Sequence, residues 1–217
     1  LPVRVFHWLL VVAFVCAYVT NRLGVTYFRY HLLCGYTVIV LVSFRLIWGF
    51  VGTRHARFRS FLRGPVHTLG FAVGWLRGKS THHPGHNPLG AWMVITLLVA
   101  LLIQAVTGLF GNDEIINVGP LSGLVTLEAS LKLTSLHRVL FYWLLAAVIV
   151  HVLAVIAHRV FKKERLVAAM FTGKKPAHIV PETEAIATSR TWLAVSIVIV
   201  LMASLMWVVA HAPPAAE

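Results

Sequence analysis

Five stretches of this chain run apolar for about twenty residues each and stop at glycine, proline or charge: Val5 to Leu23, His31 to Phe50, Leu89 to Phe110, Leu136 to Ala157 and Thr191 to Ala210. A hydrocarbon core of about 30 Å takes about 20 helical residues, so the pattern predicts five membrane-spanning helices. The first run begins almost at residue 1 with no small-residue cleavage site behind it and is expected to be a retained helix. Between the first two runs, Tyr27, Phe28 and Tyr30 form an aromatic belt suited to the headgroup region. Residues 58 to 75 mix Phe61, Leu62, Leu69, Phe71 and Trp75 with Arg59 and Arg63, interrupted at Gly64-Pro65, which predicts a short interfacial helix. The histidines of THHPGHNP (His82, His83, His86) have no carboxylate or cysteine beside them and are expected in a solvated turn. Residues 111 to 135 make a loop too long for a minimal connection, and loops of that length tend to be functional.

Composition alters this picture mainly through charge. Hydrophobic residues make up 59% of the 217 and charged residues 12%, with a mean hydropathy of +0.82, which is the balance of a membrane protein. Nineteen Lys and Arg against seven acids give +12. In a soluble chain that excess would suggest nucleic acid. No aromatic-studded basic RNA motif appears, so no nucleic-acid partner is expected, and the charge sorts by side of the membrane. The loop after the second run carries Arg54, Arg57, Arg59, Arg63, Arg77 and Lys79 without an acid. The one after the fourth carries seven basic residues, from Arg159 to Arg190, against Glu164, Glu182 and Glu184. On the other side Arg22, Arg29 and Lys132 are balanced by Asp113, Glu114 and Glu128. The positive-inside rule then puts the N-terminus and both basic loops in the cytoplasm, and the loops at 21 to 30 and 111 to 135 outside. The C-terminal APPAAE ends outside. Cys16 and Cys34 are the only cysteines, and no Cys-x-x-Cys-His occurs. Covalent haem attachment, a cysteine-ligated iron–sulfur cluster and a zinc ribbon are therefore excluded within this chain.

Four histidines stand inside the apolar runs: His7, His31, His137 and His151. His137 and His151 stand fourteen residues apart in the fourth run, which on a helix is about 21 Å of rise and within about 40° of one face. A lone intramembrane histidine is often satisfied by a neighbouring helix, but a same-face pair offers imidazoles at two depths. Neutral imidazole is an axial ligand of haem iron. Depth selects the partners: His31 opens the second run on the outer side and pairs with His137, while His7 opens the first run on the inner side and pairs with His151. Two non-covalent b haems are expected, one near each surface. His158 follows His151 by seven residues and is the second choice for the inner ligand, or else a propionate or quinone contact. Gly35 and Gly108 are expected where the macrocycle approaches a helix, with close helix packing as the alternative. Arg45 lies fourteen residues past His31, at the inner haem's depth, where an unpaired guanidinium is costly. A propionate is its expected partner, with snorkelling to the surface as the alternative. Arg4 is a further inner-side candidate for a propionate or quinone contact.

RVFHW around His7, HLLCG with RL at Arg45, and LHRVLFYWLLAAVIVHVLAVIAH resemble the prokaryotic cytochrome b561 family, which includes the b-type cytochrome subunits of membrane-bound hydrogenases. The resemblance covers about residues 3 to 175. It implies an all-α membrane protein whose four-helix bundle holds two b haems, with His7, His31, His137 and His151 at the ligand positions. Residues 1–175 would form this domain, with a cytoplasmic interfacial segment at about 58–78 and the outer loop 111–135. Residues 176–217 would be a linker and a fifth, C-terminal transmembrane helix, which departs from the family pattern and is expected to bind a partner or drive homo- or hetero-oligomerisation. GLFGNDEIINVGPL and MFTGKK look like the branch often encoded beside small periplasmic c-type cytochromes or hydrogenases. The implied function is electron transfer across a bacterial inner membrane. It would run between ubiquinone or menaquinone and a periplasmic c-type cytochrome or oxidoreductase subunit docking at 111–135, with quinol/quinone oxidoreductase activity left open. Two other readings stand beside it: a membrane-anchor cytochrome b subunit of a hydrogenase-like enzyme, and a metal or haem transporter using intramembrane histidines.

Overall fold

The computed structural model describes residues 1–76, 88–161, 166–173 and 188–214, with the side chains of residues 72, 75 and 76 left aside. The histidines at 82 to 86, His178, the charged residues at 77–79, 162–165 and 174–184, and the last three residues lie outside that set. Eight α-helices are described: α1 Pro2–Arg22, α2 Phe28–Val51, α3 Phe58–Phe61, α4 Pro65–Leu76, α5 Pro88–Leu109, α6 Leu127–Phe161, α7 Leu166–Thr172 and α8 Thr191–Ala210. Of these, α1, α2, α5, α6 and α8 are long and apolar enough to cross a membrane. Three helices begin at proline, where the missing N–H costs nothing and the fixed φ suits the first turn.

The bundle is built around α2. Of its most apolar window 44% is buried, against 17% or less for the other spans, and α1, α5 and α8 all pack on it. Val38, Leu41, Val42, Phe44 and Trp48 form its buried stripe. The histidine-rich α6 is more peripheral, lying along α5 and meeting α1 through Phe141, whose ring stacks on Tyr18 at 5.6 Å and on Phe14 at 6.4 Å. Side-chain contacts at the helix ends fix the up-and-down order. On one surface Arg190, opening α8, donates to Val51 O at the end of α2 (3.2 Å), and Arg4 of α1 donates to Phe171 O of α7 (2.6 Å). On the other, the backbone of Pro213 and Pro214 after α8 lies against Gly123, in the loop between α5 and α6. The five spans therefore start and finish on opposite faces.

The fourth span differs from its sequence expectation. Instead of beginning at Leu136, α6 begins at Leu127 and runs 35 residues, about 52 Å. Thr126 Oγ1 accepts the Ala129 N–H (3.3 Å) as an N-cap, and Glu128 pairs with Lys132 one turn on (2.6 Å). Local capping thus carries the helix about 13 Å further out than hydrophobicity alone marks. This extension is pinned to the shortened loop: Ser130 Oγ donates to Phe110 O (2.6 Å), and Thr134 Oγ1 accepts from Asn112 N (2.8 Å). Asp113 orders the loop tip, its carboxylate accepting the N–H groups of Ile115, Ile116 and Asn117 at 2.9 to 3.0 Å and the Asn117 amide at 2.6 Å. Burial disfavours the charge, but these four donors outweigh it and hold the Asp113 carboxyl below its ordinary pKa.

On the opposite surface the interfacial segment is two helices rather than one, because Gly64-Pro65 separates α3 from α4. Exposed Val66, Leu69 and Val73 recur at helical spacing on α4, an apolar face suited to the headgroup boundary. Phe58 of α3 folds back against Gly49 of α2, where no Cβ could fit.

Candidate functional site

In the half of the bundle beside the 110–126 loop, the half expected to face outside, α2 and α6 bring His31 and His137 together with ring centroids 6.3 Å apart and planes at 83°. A metal–imidazole nitrogen bond is about 2 Å, and each ring centre lies about 1 Å beyond its nitrogen, so two imidazoles on opposite sides of one metal have centroids about 6 Å apart. The tautomers fit as well. His31 Nδ1 lies 2.9 Å from Ala17 O of α1, and His137 Nδ1 lies 2.8 Å from Gln104 O of α5. A carbonyl only accepts, so both Nδ1 atoms carry the proton and both Nε2 lone pairs stay available to a metal. Sequence reasoning could not find these two partners, because backbone carbonyls carry no residue signature.

The glycines divide. A Cβ at Gly35, one turn after His31, would meet nothing within 4 Å among the described residues. A Cβ at Gly108 would stand 2.9 Å from Cε1 and 3.2 Å from Nδ1 of His137, so Gly108 makes room for the imidazole itself. The Gln104 amide donates to His137 O (3.0 Å), and buried Thr107 places its hydroxyl 3.3 Å from His137 Nδ1. Gln104 was missed as a site residue, although a glutamine inside an otherwise apolar span is the kind of polar group that marks a function.

Toward the other end of the bundle lie His7 of α1 and His151 of α6. The His7 ring meets Trp8 edge-on at 5.2 Å, and its buried Nδ1 has no hydrogen-bond partner among the described residues. Arg45 is 5% exposed. Its guanidinium sits 5.0 Å from the Phe58 ring centre and 6.0 Å from that of Phe61, and among the described residues its Nη1 lacks a hydrogen-bond partner, as does Nε1 of the wholly buried Trp48. Arg4 is engaged at the C-terminus of α7, where a cation offsets the exposed carbonyls, and Trp8 stacks on Phe171 of the same helix at 4.3 Å. His158 falls in the last turn of α6. Among the described residues no three His, Cys, Asp or Glu side chains gather as a metal cage; His31 and His137 come as a facing pair.

One facing, tautomer-fixed imidazole pair between apolar helices is an arrangement that suits a membrane-embedded b-type cytochrome. The family model for prokaryotic cytochrome b561 matches residues 1–173, and the chain belongs to that family: a multi-pass, all-helical membrane protein of haem b and electron transport. Three similar proteins each bear the name "Probable Ni/Fe-hydrogenase B-type cytochrome subunit". That of Bradyrhizobium diazoefficiens is 25% identical, over 80% of this chain and 83% of its own length. That of Azotobacter vinelandii is 26% identical, over 79% and 85%. That of Rhodobacter capsulatus is 24% identical, over 80% and 79%. No solved structure matches the chain.

Proposed function

We propose that the chain moves electrons across a bacterial inner membrane between a quinone and a redox protein outside, with two b haems as carriers. His31 and His137 hold the outer one, His7 and His151 the inner. The observation that carries this reading is the outer pair: facing imidazoles whose Nδ1 protons are given to carbonyls of two other helices, leaving both Nε2 lone pairs free. Haem b supplies one-electron iron chemistry when bound. The chain supplies the ligands, their orientation and a low-dielectric setting. Open backbone at Gly35 suits the approach of a flat macrocycle, and the unpartnered donors of Arg45 and Trp48 suit a propionate on the inner side. Arg4 and His158 remain candidates for propionate or quinone contact. The basic loops support a cytoplasmic N-terminus and an external loop at 110–126. That loop, with the outer turns of α6, is where the partner would dock, and a c-type cytochrome or oxidoreductase subunit is the class proposed. Reduced-minus-oxidised spectra of the purified chain, with haem counted per polypeptide, test the reading: a b-type signal that falls by half in His137→Ala supports it, and no b-type signal overturns it.

A second reading, favoured by the names of the three relatives, makes the chain the membrane anchor of a hydrogenase-like enzyme. Stoichiometric co-purification of a catalytic subunit supports the anchor; a haem-loaded chain that purifies alone and is reduced by a soluble c-type cytochrome supports the free carrier.

A further inference from the structure

The surroundings of His137 differ from those of the other three proposed ligands. Gln104, Thr107 and Gly108 lie on one face of α5, spaced i, i+3 and i+4, and together form a socket for this single imidazole. Gly108 is its floor. The Gln104 side chain clasps the His137 carbonyl at 3.0 Å, and the Gln104 carbonyl takes the Nδ1 proton at 2.8 Å. Thr107 is 3% exposed. Its hydroxyl proton has two carbonyl acceptors, Ile103 O at 2.8 Å and Gln104 O at 3.0 Å, so the lone pair it turns to Nδ1 at 3.3 Å is a second acceptor for the imidazole proton. His31, by contrast, gives its Nδ1 proton to one carbonyl, and the Nδ1 of His7 has no hydrogen-bond partner among the described residues.

Acceptors on the distal nitrogen of an imidazole raise the electron density on the ligating one, which favours the more oxidised metal. We propose that Thr107 is a positioning residue for His137 that, through its share in the Nδ1 proton, lowers the reduction potential of the outer haem and leaves the inner one untouched. This rests on the reading that His31 and His137 hold an iron. The carbonyl of Gln104 cannot be removed by substitution, so the Thr107 hydroxyl is the part of the socket that sequence can adjust.

The test is a spectroelectrochemical titration of the full chain in lipid nanodiscs, for the parent, Thr107→Val and Thr107→Ser. Thr107→Val keeps the side-chain volume and loses the acceptor. It is expected to raise one of two midpoint potentials by up to about 59 mV, a tenfold shift of a one-electron equilibrium, while the other stays in place. Thr107→Ser keeps the hydroxyl and is expected to titrate like the parent. If Thr107→Val cannot hold the outer haem, the smaller Thr107→Ala takes its place in the same comparison. Unchanged potentials, equal shifts in both haems, or loss of haem from both the Val and the Ala variant would overturn the tuning role. A parent chain without a b-type spectrum would instead overturn the reading beneath it, so the two failures are distinguishable.

Discussion

Gly108→Ala is the smallest change aimed at the outer imidazole. The added Cβ would stand 2.9 Å from Cε1 and 3.2 Å from Nδ1 of His137, where ordinary van der Waals contact begins near 3.5 Å. The ring must therefore retreat by roughly half an ångström. That movement stretches the 2.8 Å contact from Nδ1 to Gln104 O beyond good hydrogen-bonding distance and turns Nε2 away from His31. Overpacking of this kind costs about 1–3 kcal/mol, and a weakened hydrogen bond adds about 0.5–1.5 kcal/mol. The sum of about 1.5–4.5 kcal/mol corresponds to a loss of roughly one to three powers of ten in haem affinity at the outer site. Haem per chain after detergent extraction, read by pyridine haemochrome and corrected for folded protein by circular dichroism, measures the loss. Gly108→Ala is expected to lose the outer haem and keep the inner one. Gly64→Ala, where a Cβ meets nothing within 4 Å in the turn between α3 and α4, is expected to keep both. Full haem occupancy with unshifted potentials in Gly108→Ala would refute the reasoning.

Further outcomes follow from other parts of the molecule. Gly35→Leu projects into space that no protein atom fills, so it should leave helix content intact and still depress haem retention. Imidazole planes at 83° predict a highly anisotropic low-spin ferric EPR signal from the outer site, where parallel planes would give a rhombic one. Asp113→Ala removes the acceptor of four hydrogen bonds and should raise hydrogen exchange at Ile115, Ile116 and Asn117 by at least tenfold, with α6 unchanged. Folding lowers the Asp113 pKa, so its contribution is complete above the ordinary carboxylate range and is lost as pH falls through the depressed value. Loop protection should therefore be flat at neutral pH and decline only in acid. Trp8→Ala deletes the 4.3 Å stack on Phe171, worth about 0.5–1.5 kcal/mol beyond its area, and should expose residues 166–173 to protease.

The five spans were legible because a bilayer imposes one length on every apolar run. That His31 and His137 lie at one depth was legible because depth along a helix is a simple function of residue number. Four things were not. The outer turns of α6 are held by Thr126 and the Glu128–Lys132 pair, so hydrophobicity stops marking the helix at the membrane surface. The centre of the bundle is α2, because packing on several sides depends on which neighbours arrive and not on the run's own composition. Gly35 and Gly108 looked alike in sequence, yet one faces open space and the other an imidazole, a distinction that lies in the partner helix. Arg45 was recognised as buried, but Phe58 and Phe61 arrive from a segment whose fold-back depends on Gly49 lacking a side chain.

The central claim is that the four histidines form two ligand pairs. Haem counted per polypeptide in the parent, His31→Ala, His137→Ala, His7→Ala, His151→Ala and the double variant His137→Ala/His151→Ala tests it most directly. The account predicts two haems in the parent, one in each single variant and none in the double, with His31→Ala and His137→Ala sparing the same haem by potential and spectrum. Parent-like haem content in the double variant would contradict it.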